Sequence, residues 1–208
     1  MQSQFTMKVA GADLQVVLMA ASTTGVGRAG DVLVRYIKDS FVKTSWHNPS
    51  PPGGPPGTVT NRLRNSIQKT PPANGMTIVG TNERYAKKQE YGGLIKAKNK
   101  KYLTIPVNAE AAQMRANTKD LRTQNLTFRK GPHRGVAFLW RTVKGKNARS
   151  QLMFVLKPTV RLPARPFLRP ATTNQDSRAR MAKAFAAGFN FEIRKAFKAA
   201  AAAGAPAA

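Results

Sequence analysis

The chain has 208 residues, enough to bury a core of its own, and 41% of them are hydrophobic. It carries 35 Lys and Arg against 9 Asp and Glu, a net charge of +26 at pH 7, and it has no cysteine. Disulfides, zinc–thiolate sites and cysteine nucleophiles are therefore excluded. No apolar run approaches the roughly 18 residues of a membrane span, so no membrane contact is predicted.

The positive charge is spread along the chain rather than held in one tail. In successive blocks of fifty residues, Lys and Arg outnumber Asp and Glu by 5 to 3, 9 to 2 and 11 to 2, and the last 58 residues have 10 to 2. This distribution indicates a folded body with a positive surface, which attracts polyanions. Net charge alone leaves open whether the partner is nucleic acid or an acidic protein.

The first third of the chain has a helical pattern. Apolar residues recur at helical spacing over Ala12–Ala21 and again over Asp31–Lys43. Between them lies GVGRAG at 25–30, whose three glycines each weaken a helix by about 1 kcal/mol relative to alanine. The pattern predicts one long helix or two collinear helices ending near Thr44.

A proline- and glycine-rich arm is predicted at 46–60. Its centre, His47–Thr58, reads HNPSPPGGPPGT, which excludes a helix or a central strand and favours extended backbone. The arm is either a linker or a segment that docks, on its own subunit or on the next one.

The middle of the chain alternates short helices and strands. A hairpin is predicted around PPANG, pairing Ile67–Thr70 with Met76–Thr81. Short helices are predicted at Thr60–Ile67, Glu83–Tyr91 (ended by Gly92 and Gly93) and Asn108–Ala116. Strands are predicted at Tyr102–Pro106, Val136–Trp140 and Leu152–Leu156, and loops at Lys96–Lys101, Asp120–Asn125 and Arg141–Arg149.

The last part of the chain is predicted to be extended and then helical. Pro158–Pro170 has four prolines, and a final helix capped by Asn174 or Asp176 fades into an alanine-rich tail at 199–208. The whole chain is predicted to be one α+β domain. Its long N-terminal helix and its C-terminal helix pack on a small antiparallel β-sheet, with the extended arm beside them.

Catalytic patterns are missing from the sequence. GVGRAG has the spacing of a dinucleotide-binding fingerprint, but it follows a helical pattern rather than a strand. His47 and His133 have no neighbouring carboxylate, and Glu83, Glu90 and Glu110 are scattered. We therefore predict that the protein is not an enzyme, and we assign no catalytic, cofactor-binding or metal-binding residue.

Four segments resemble one known family when they are taken together. They are PSPPGGPPG followed by NRLRNSI, VGTNERYAKKQEYGG, YLTIPVNAEA and RLPARPFLRPA, and they span about Leu33 to Ala196. In this order they resemble segments of the neck and tail-completion proteins of tailed bacteriophages, also called head–tail joining or virion morphogenesis proteins. The region Asn108–Ser150, with a helix and a basic hairpin, and the alanine-rich end depart from the shorter family members.

The resemblance implies a structural, non-enzymatic virion protein, made in the host cytoplasm. Such proteins form rings between the DNA-filled head and the tail. These rings are commonly six-fold, and a ring of twelve copies is the alternative for this chain. The partners implied are head-closure or connector proteins, the tail terminator or tail-tube proteins, and double-stranded DNA contacted without sequence preference in the lumen. A tail terminator that caps the tail tube is a close alternative.

Two sets of residues are predicted to make these contacts. Arg161, Arg165 and Arg169 recur every fourth residue, so an extended strand would place them on one face. The predicted subunit interface comprises Pro163, Arg165, Pro166, Phe167, Leu168, Tyr85 and Tyr91. The predicted DNA- or partner-facing residues are Lys96, Lys98, Lys100, Lys101, Arg161 and Arg169.

Two other classes of protein compete with this interpretation. A basic RNA-binding protein of the ribosomal type would account for the charge and the arm, but it would leave the four ordered segments unexplained. A metal-dependent nuclease has only the scattered carboxylates in its favour.

Overall fold

The structure is a computed structural model, and it describes residues 8–9, 12–44, 49–117, 125–142 and 150–203. The chain divides into two compact units. The first, here the helical unit, comprises Met1–Phe41, Thr60–Ala86 and Phe167–Ala208. The second, here the sheet unit, comprises Val42–Val59 and Lys87–Pro166.

Helices and short strands alternate along the described residues. The helices are α1 (Leu14–Ser40), α2 (Arg62–Asn65), α3 (Ala86–Tyr91), α4 (Ala109–Asn117), α5 (Leu168–Thr173) and α6 (Gln175–Ala203). The strands are β1 (Lys8–Val9), β2 (Ala12–Asp13), β3 (Val42–Lys43), β4 (Gly57–Thr58), β5 (Gln68–Lys69), β6 (Val79–Gly80), β7 (Gly93–Lys96), β8 (Leu103–Pro106), β9 (Leu126–Lys130), β10 (Ala137–Thr142), β11 (Ser150–Lys157) and β12 (Thr159–Leu162). The α+β class, the two long terminal helices and the small antiparallel sheets are confirmed.

The helical unit is built on α1 and α6, which pack against each other in antiparallel orientation. Gly188 of α6 lies against Gly25 of α1, where an added Cβ would come within 2.9 Å of the Gly25 Cα. A Cβ on Gly25 would in turn lie 2.8 Å from the ring of Phe185. The glycines at 25–30 therefore do not break α1; they are buried within it, and the alternative of one long helix is correct.

One buried cluster stabilises the other end of the helical unit. Ile37 of α1, Leu63 of α2 and Ile67 pack around Phe167, whose ring meets that of Phe41 edge-on at 5.6 Å between centroids. Burying side chains of this size contributes about 1.5–3 kcal/mol each. Phe167 thus joins α1, α2 and the start of α5 in one core.

The predicted hairpin around PPANG is confirmed. Strands β5 and β6 pair in antiparallel fashion, and Asn74 and Gly75 both have positive φ angles, 50° and 70°. Two consecutive residues in this conformation are typical of the tight hairpin turn that Asn-Gly favours. The Lys69 ammonium of β5 then donates to the Gly27 carbonyl at 2.7 Å, which attaches the hairpin to α1.

The segment predicted to be extended over Pro158–Pro170 is only partly so. Strand β12 ends at Leu162, and α5 begins at Leu168, so Arg161, Arg165 and Arg169 do not share one strand. Proline is compatible with a helix in its first turn, where the missing N–H has no intrahelical acceptor. Pro170 therefore does not prevent α5 from forming, and the prediction of a continuous strand is wrong.

Of the two predicted cap residues, Asn174 and Asp176, it is Asn174 that caps α6. Its Oδ1 accepts hydrogen bonds from the backbone N–H groups of Asp176, at 2.9 Å, and Ser177, at 3.2 Å.

We expect Asn174→Ala to lower the free energy of unfolding by about 1 kcal/mol, because those donors lose their acceptor. Denaturant titration measures the change, and exposed Gln175→Ala is the control. Equal stability of the two variants would contradict the capping role.

A four-stranded antiparallel sheet, ordered β8–β11–β10–β9, forms the main part of the sheet unit. Helix α4 covers one face, where Ala111, Met153 and Phe154 are buried with Leu126 and Leu139 beside them. The strands predicted around β8, β10 and β11 and the helix predicted around α4 are confirmed. Strand β9 was not predicted, and the basic loop at 143–149 and the polar loop at 118–124 lie outside the described residues.

The described part of the proline arm docks on its own chain. Strand β4 pairs in parallel with β3, the Gly53 N–H donates to the Ala164 carbonyl at 2.8 Å, and the Arg165 Nε donates to the Ser50 carbonyl at 2.9 Å. Ser50 and Pro56 are buried. Within residues 49–59 the arm is therefore a docked strap; positions 45–48 lie outside the described residues.

Candidate nucleic-acid interface

The sheet unit holds most of the positive charge of the protein. The sequence of its two segments contains 20 of the 35 Lys and Arg residues but only three carboxylates, Glu90, Glu110 and Asp120. Such an imbalance produces a positive potential that extends about one Debye length, roughly 8 Å at physiological salt. The field of this unit therefore favours a polyanionic partner.

The two described carboxylates of the sheet unit leave that surface positive. Glu90 is 2% exposed, so its charge does not lie on the surface. Glu110 forms an ion pair with Arg141, with 2.6 Å between its Oε1 and the Arg141 Nη1, and so offsets the charge of that cation. Over the described part of this unit, most Lys and Arg side chains therefore have no acidic neighbour.

The β9–β10 hairpin presents three exposed cations within six residues. Arg129 and Lys130 end β9, and Arg134 lies in the connecting turn, which the Gly131 N–H closes by donating to the Val136 carbonyl at 2.9 Å. All three side chains are exposed. Their backbone is held by a paired strand and a closed turn, so the cations project from a defined part of the surface.

Aromatic side chains lie beside these cations. The Arg129 guanidinium lies 5.5 Å from the ring centroid of Trp140 on the neighbouring strand, a cation–π arrangement. Phe128 is half-exposed on the edge strand β9. The ring of Trp140 orients the guanidinium, which can still donate hydrogen bonds to a phosphate.

The predicted lysine loop forms a second positive surface. Lys96 ends β7 opposite Thr159 of β12, and the following residues Lys98, Lys100 and Lys101 are exposed. The Lys101 ammonium lies 5.8 Å from the ring of Tyr102. Exposed Arg161 on β12 belongs to the same two-stranded sheet as Lys96.

The remaining predicted contact residues have varied surroundings. Phe167 is 1% exposed and packs in the core of the helical unit, whereas Arg165 binds the arm through Ser50. Leu168 packs against the core around Phe167, and Arg169 is exposed on α5. Pro163 and Pro166 are half-buried in the connection that follows β12.

The two predicted interface tyrosines are both on the surface. Tyr85 is 44% exposed and Tyr91, at the end of α3, is 60% exposed. Burial of part of its ring raises the pKa of Tyr85, and the nearby charge of Glu83 raises the pKa further. The Tyr85 phenol therefore stays neutral at physiological pH and can donate a hydrogen bond to a partner.

Arg129, Lys130 and Arg134 were missed by the sequence prediction because β9 was missed. The signal in LTFRK is short: Leu126 and Phe128 alternate with Thr127 and Arg129 over only five residues. The cross-strand register that brings Arg129 next to Trp140 becomes visible only once β9 pairs with β10.

The described segments contain neither a metal-binding cluster nor a membrane-spanning helix. No group of three or more His, Asp or Glu side chains there lies close enough to hold a metal ion. No helix in that part of the chain combines the length and apolar composition required to cross a bilayer. The chain matches no protein-family model, no curated protein and no solved structure.

Proposed function

We propose that this chain is a structural protein of a tailed-bacteriophage virion, a ring subunit at the head–tail junction that double-stranded DNA crosses. In this role it is a neck or tail-completion protein, and it joins connector proteins to tail proteins without catalysing a reaction. The observation that carries the proposal is the positive surface of the sheet unit, in which one described carboxylate is buried and the other is ion-paired.

The chemistry of this surface suits duplex DNA contacted through its phosphates. Exposed Lys and Arg on the β9–β10 hairpin and on the lysine loop bind phosphate oxygens without reading bases. Binding of this kind is weak at physiological salt, which lets DNA move past the protein. The order of the four family-like segments supports the ring, and it also fits the tail terminator as the neighbouring alternative.

A ribosomal-type RNA-binding protein is the second candidate, and it is favoured by one specific observation. Phe128, Trp140 and Tyr102 lie beside or among exposed cations. Aromatic rings next to Arg and Lys can stack on the unpaired bases of single-stranded RNA. Duplex DNA offers no such bases, so the two candidates predict different preferences.

A binding comparison separates the two candidates. We expect two duplexes of about 30 base pairs and unrelated sequence to bind equally, with log Kd rising with log salt at a slope of about 4 or more, as several phosphate contacts require. Fluorescence anisotropy between about 50 and 200 mM salt measures both quantities. At least tenfold tighter binding of single-stranded RNA of the same length would favour the RNA-binding candidate and contradict the DNA-channel role.

A further inference from the structure

A long groove follows one side of the α1–α6 pair in the helical unit. It consists of two open cavities of about 610 and 880 Å³ that share Ala187 as a lining residue. On α6 the lining extends from Arg180 to Ala202, which is about 33 Å at 1.5 Å per residue. The groove is therefore long enough for a helix of about twenty residues.

The floor of the groove is apolar. It includes Val32 and Tyr36 of α1 and Ala184, Ala187 and Phe191 of α6. Phe191 is 52% exposed, whereas Phe185 and Gly188, on the same helix, pack on α1. Helix α6 thus has two apolar faces, and only one of them is used to bind α1.

The rims of the groove are basic. The cations along them include Arg28, Arg35, Lys183, Arg194, Lys195 and Lys198. The Arg28 guanidinium lies 5.1 Å from the ring centroid of Phe191, and that of Arg180 lies 6.0 Å from Tyr36. Carboxylates reduce this charge at three points, since Glu192 pairs with Lys195, Asp176 pairs with Arg180, and Asp39 lies in the lining.

We propose that the groove binds an acidic amphipathic helix of a different protein. An apolar stripe of that helix covers the floor, and its Glu and Asp side chains meet the cations on the rims. Duplex DNA would pair with the rims but would leave Phe191 and the alanines uncovered, because its outer surface is phosphate. The proposal depends on this groove alone and does not require the ring or the DNA-binding surface.

A second copy of the same chain does not have the required chemistry. Its nine carboxylates are so widely spaced that no two lie within six residues of each other, so none of its helices has an acidic face. The exposed cations on the rims also repel a basic helix of a second copy at this groove. The occupant is therefore expected to come from another chain.

The test uses the full-length protein and a labelled synthetic peptide of about twenty residues with Leu on one helical face and Glu on the other. A scrambled peptide of equal composition, and hence equal charge, is the control ligand. We expect the amphipathic peptide to bind at least about tenfold more tightly, because only its sequence forms an apolar stripe. Anisotropy in about 150 mM salt measures both affinities.

Variants locate the binding site. We expect Phe191→Ala to weaken binding about tenfold, as a central aromatic contact does, and Arg194→Gln with Lys198→Gln to weaken it about fivefold. The matched charge control, Lys87→Gln with Lys157→Gln at exposed positions of the sheet unit, should leave the affinity unchanged. All of these side chains are exposed, so circular dichroism should show an unchanged fold.

Three results would overturn the proposal. The first is equal binding of the scrambled and amphipathic peptides, and the second is failure of the amphipathic peptide to bind. The third is a loss of duplex DNA binding, rather than of peptide binding, in the groove variants, which would identify this face as a nucleic-acid surface instead.

Discussion

Replacing Gly188 with valine is expected to lower the free energy of unfolding by about 3 kcal/mol, the upper part of the range for overpacking. A Cβ at this position would meet the Gly25 Cα at 2.9 Å and the Thr24 carbonyl oxygen at 3.0 Å. Both are backbone atoms of α1, so no side chain can rotate away and the helices must separate. The higher helix propensity of valine over glycine offsets only a few tenths of a kcal/mol.

Denaturant titration monitored by far-ultraviolet circular dichroism measures this loss. Gly80→Val is the matched control, because an added Cβ at Gly80 has no atom within 4 Å and valine suits a strand. We expect the control to stay within about 0.5 kcal/mol of the unchanged protein. If Gly188→Val were equally mild, the close approach of α1 and α6 at Gly25 would be wrong.

Neutralising the β9–β10 hairpin is expected to cause a large loss of DNA affinity. The triple substitution Arg129→Gln, Lys130→Gln and Arg134→Gln removes three exposed cations from one hairpin. If each releases one counterion, the log–log salt slope falls by about 3 and the affinity at 0.1 M salt falls by on the order of 10²–10³-fold. Anisotropy titrations at several salt concentrations give both values.

A second triple variant tests whether position matters or only charge. Arg84→Gln, Arg178→Gln and Lys195→Gln remove the same charge from exposed positions of the helical unit. We expect this variant to lose less than about tenfold in affinity, through the weaker general field alone. Similar losses in the two triple variants would mean that the hairpin is not a binding element.

The parts of the fold that could be predicted depend on neighbours in sequence. The cap at Asn174 and the Asn74–Gly75 turn follow from residue types within a few positions of each other. The glycines of α1 show the opposite case. By local propensity, Gly25 weakens helix α1. In the structure Gly25 allows α6 to pack closely against α1, and this contact involves Gly188, 163 residues away in sequence.

The errors have similar physical causes. The prolines of PARPFLRP predicted continuous extended backbone, but burial of Phe167 and Ala171 in the core favours a helical turn at α5. Tertiary packing overrode local preference there. Strand β9 was missed because five residues give too weak an alternation, and its pairing with β10 is what stabilises it.

The candidate surfaces could be foreseen to different degrees. Exposure of Lys98 and its neighbours follows from a run of polar residues, which has no apolar face to bury. The cation–π contact of Arg129 with Trp140 depends on the strand register. The groove lined by Phe191 depends on the packing of α1 on α6. Neither arrangement can be derived from spacing along the chain.

The most direct test of the proposed function is cryo-electron microscopy of the native particle that contains this chain. The account predicts a closed ring of six or twelve copies on the axis between a DNA-filled capsid and a tail, with the basic surface of the sheet unit facing the DNA. A single copy bound to folded RNA, or a free chain of 22.6 kDa with no symmetric assembly, would contradict it.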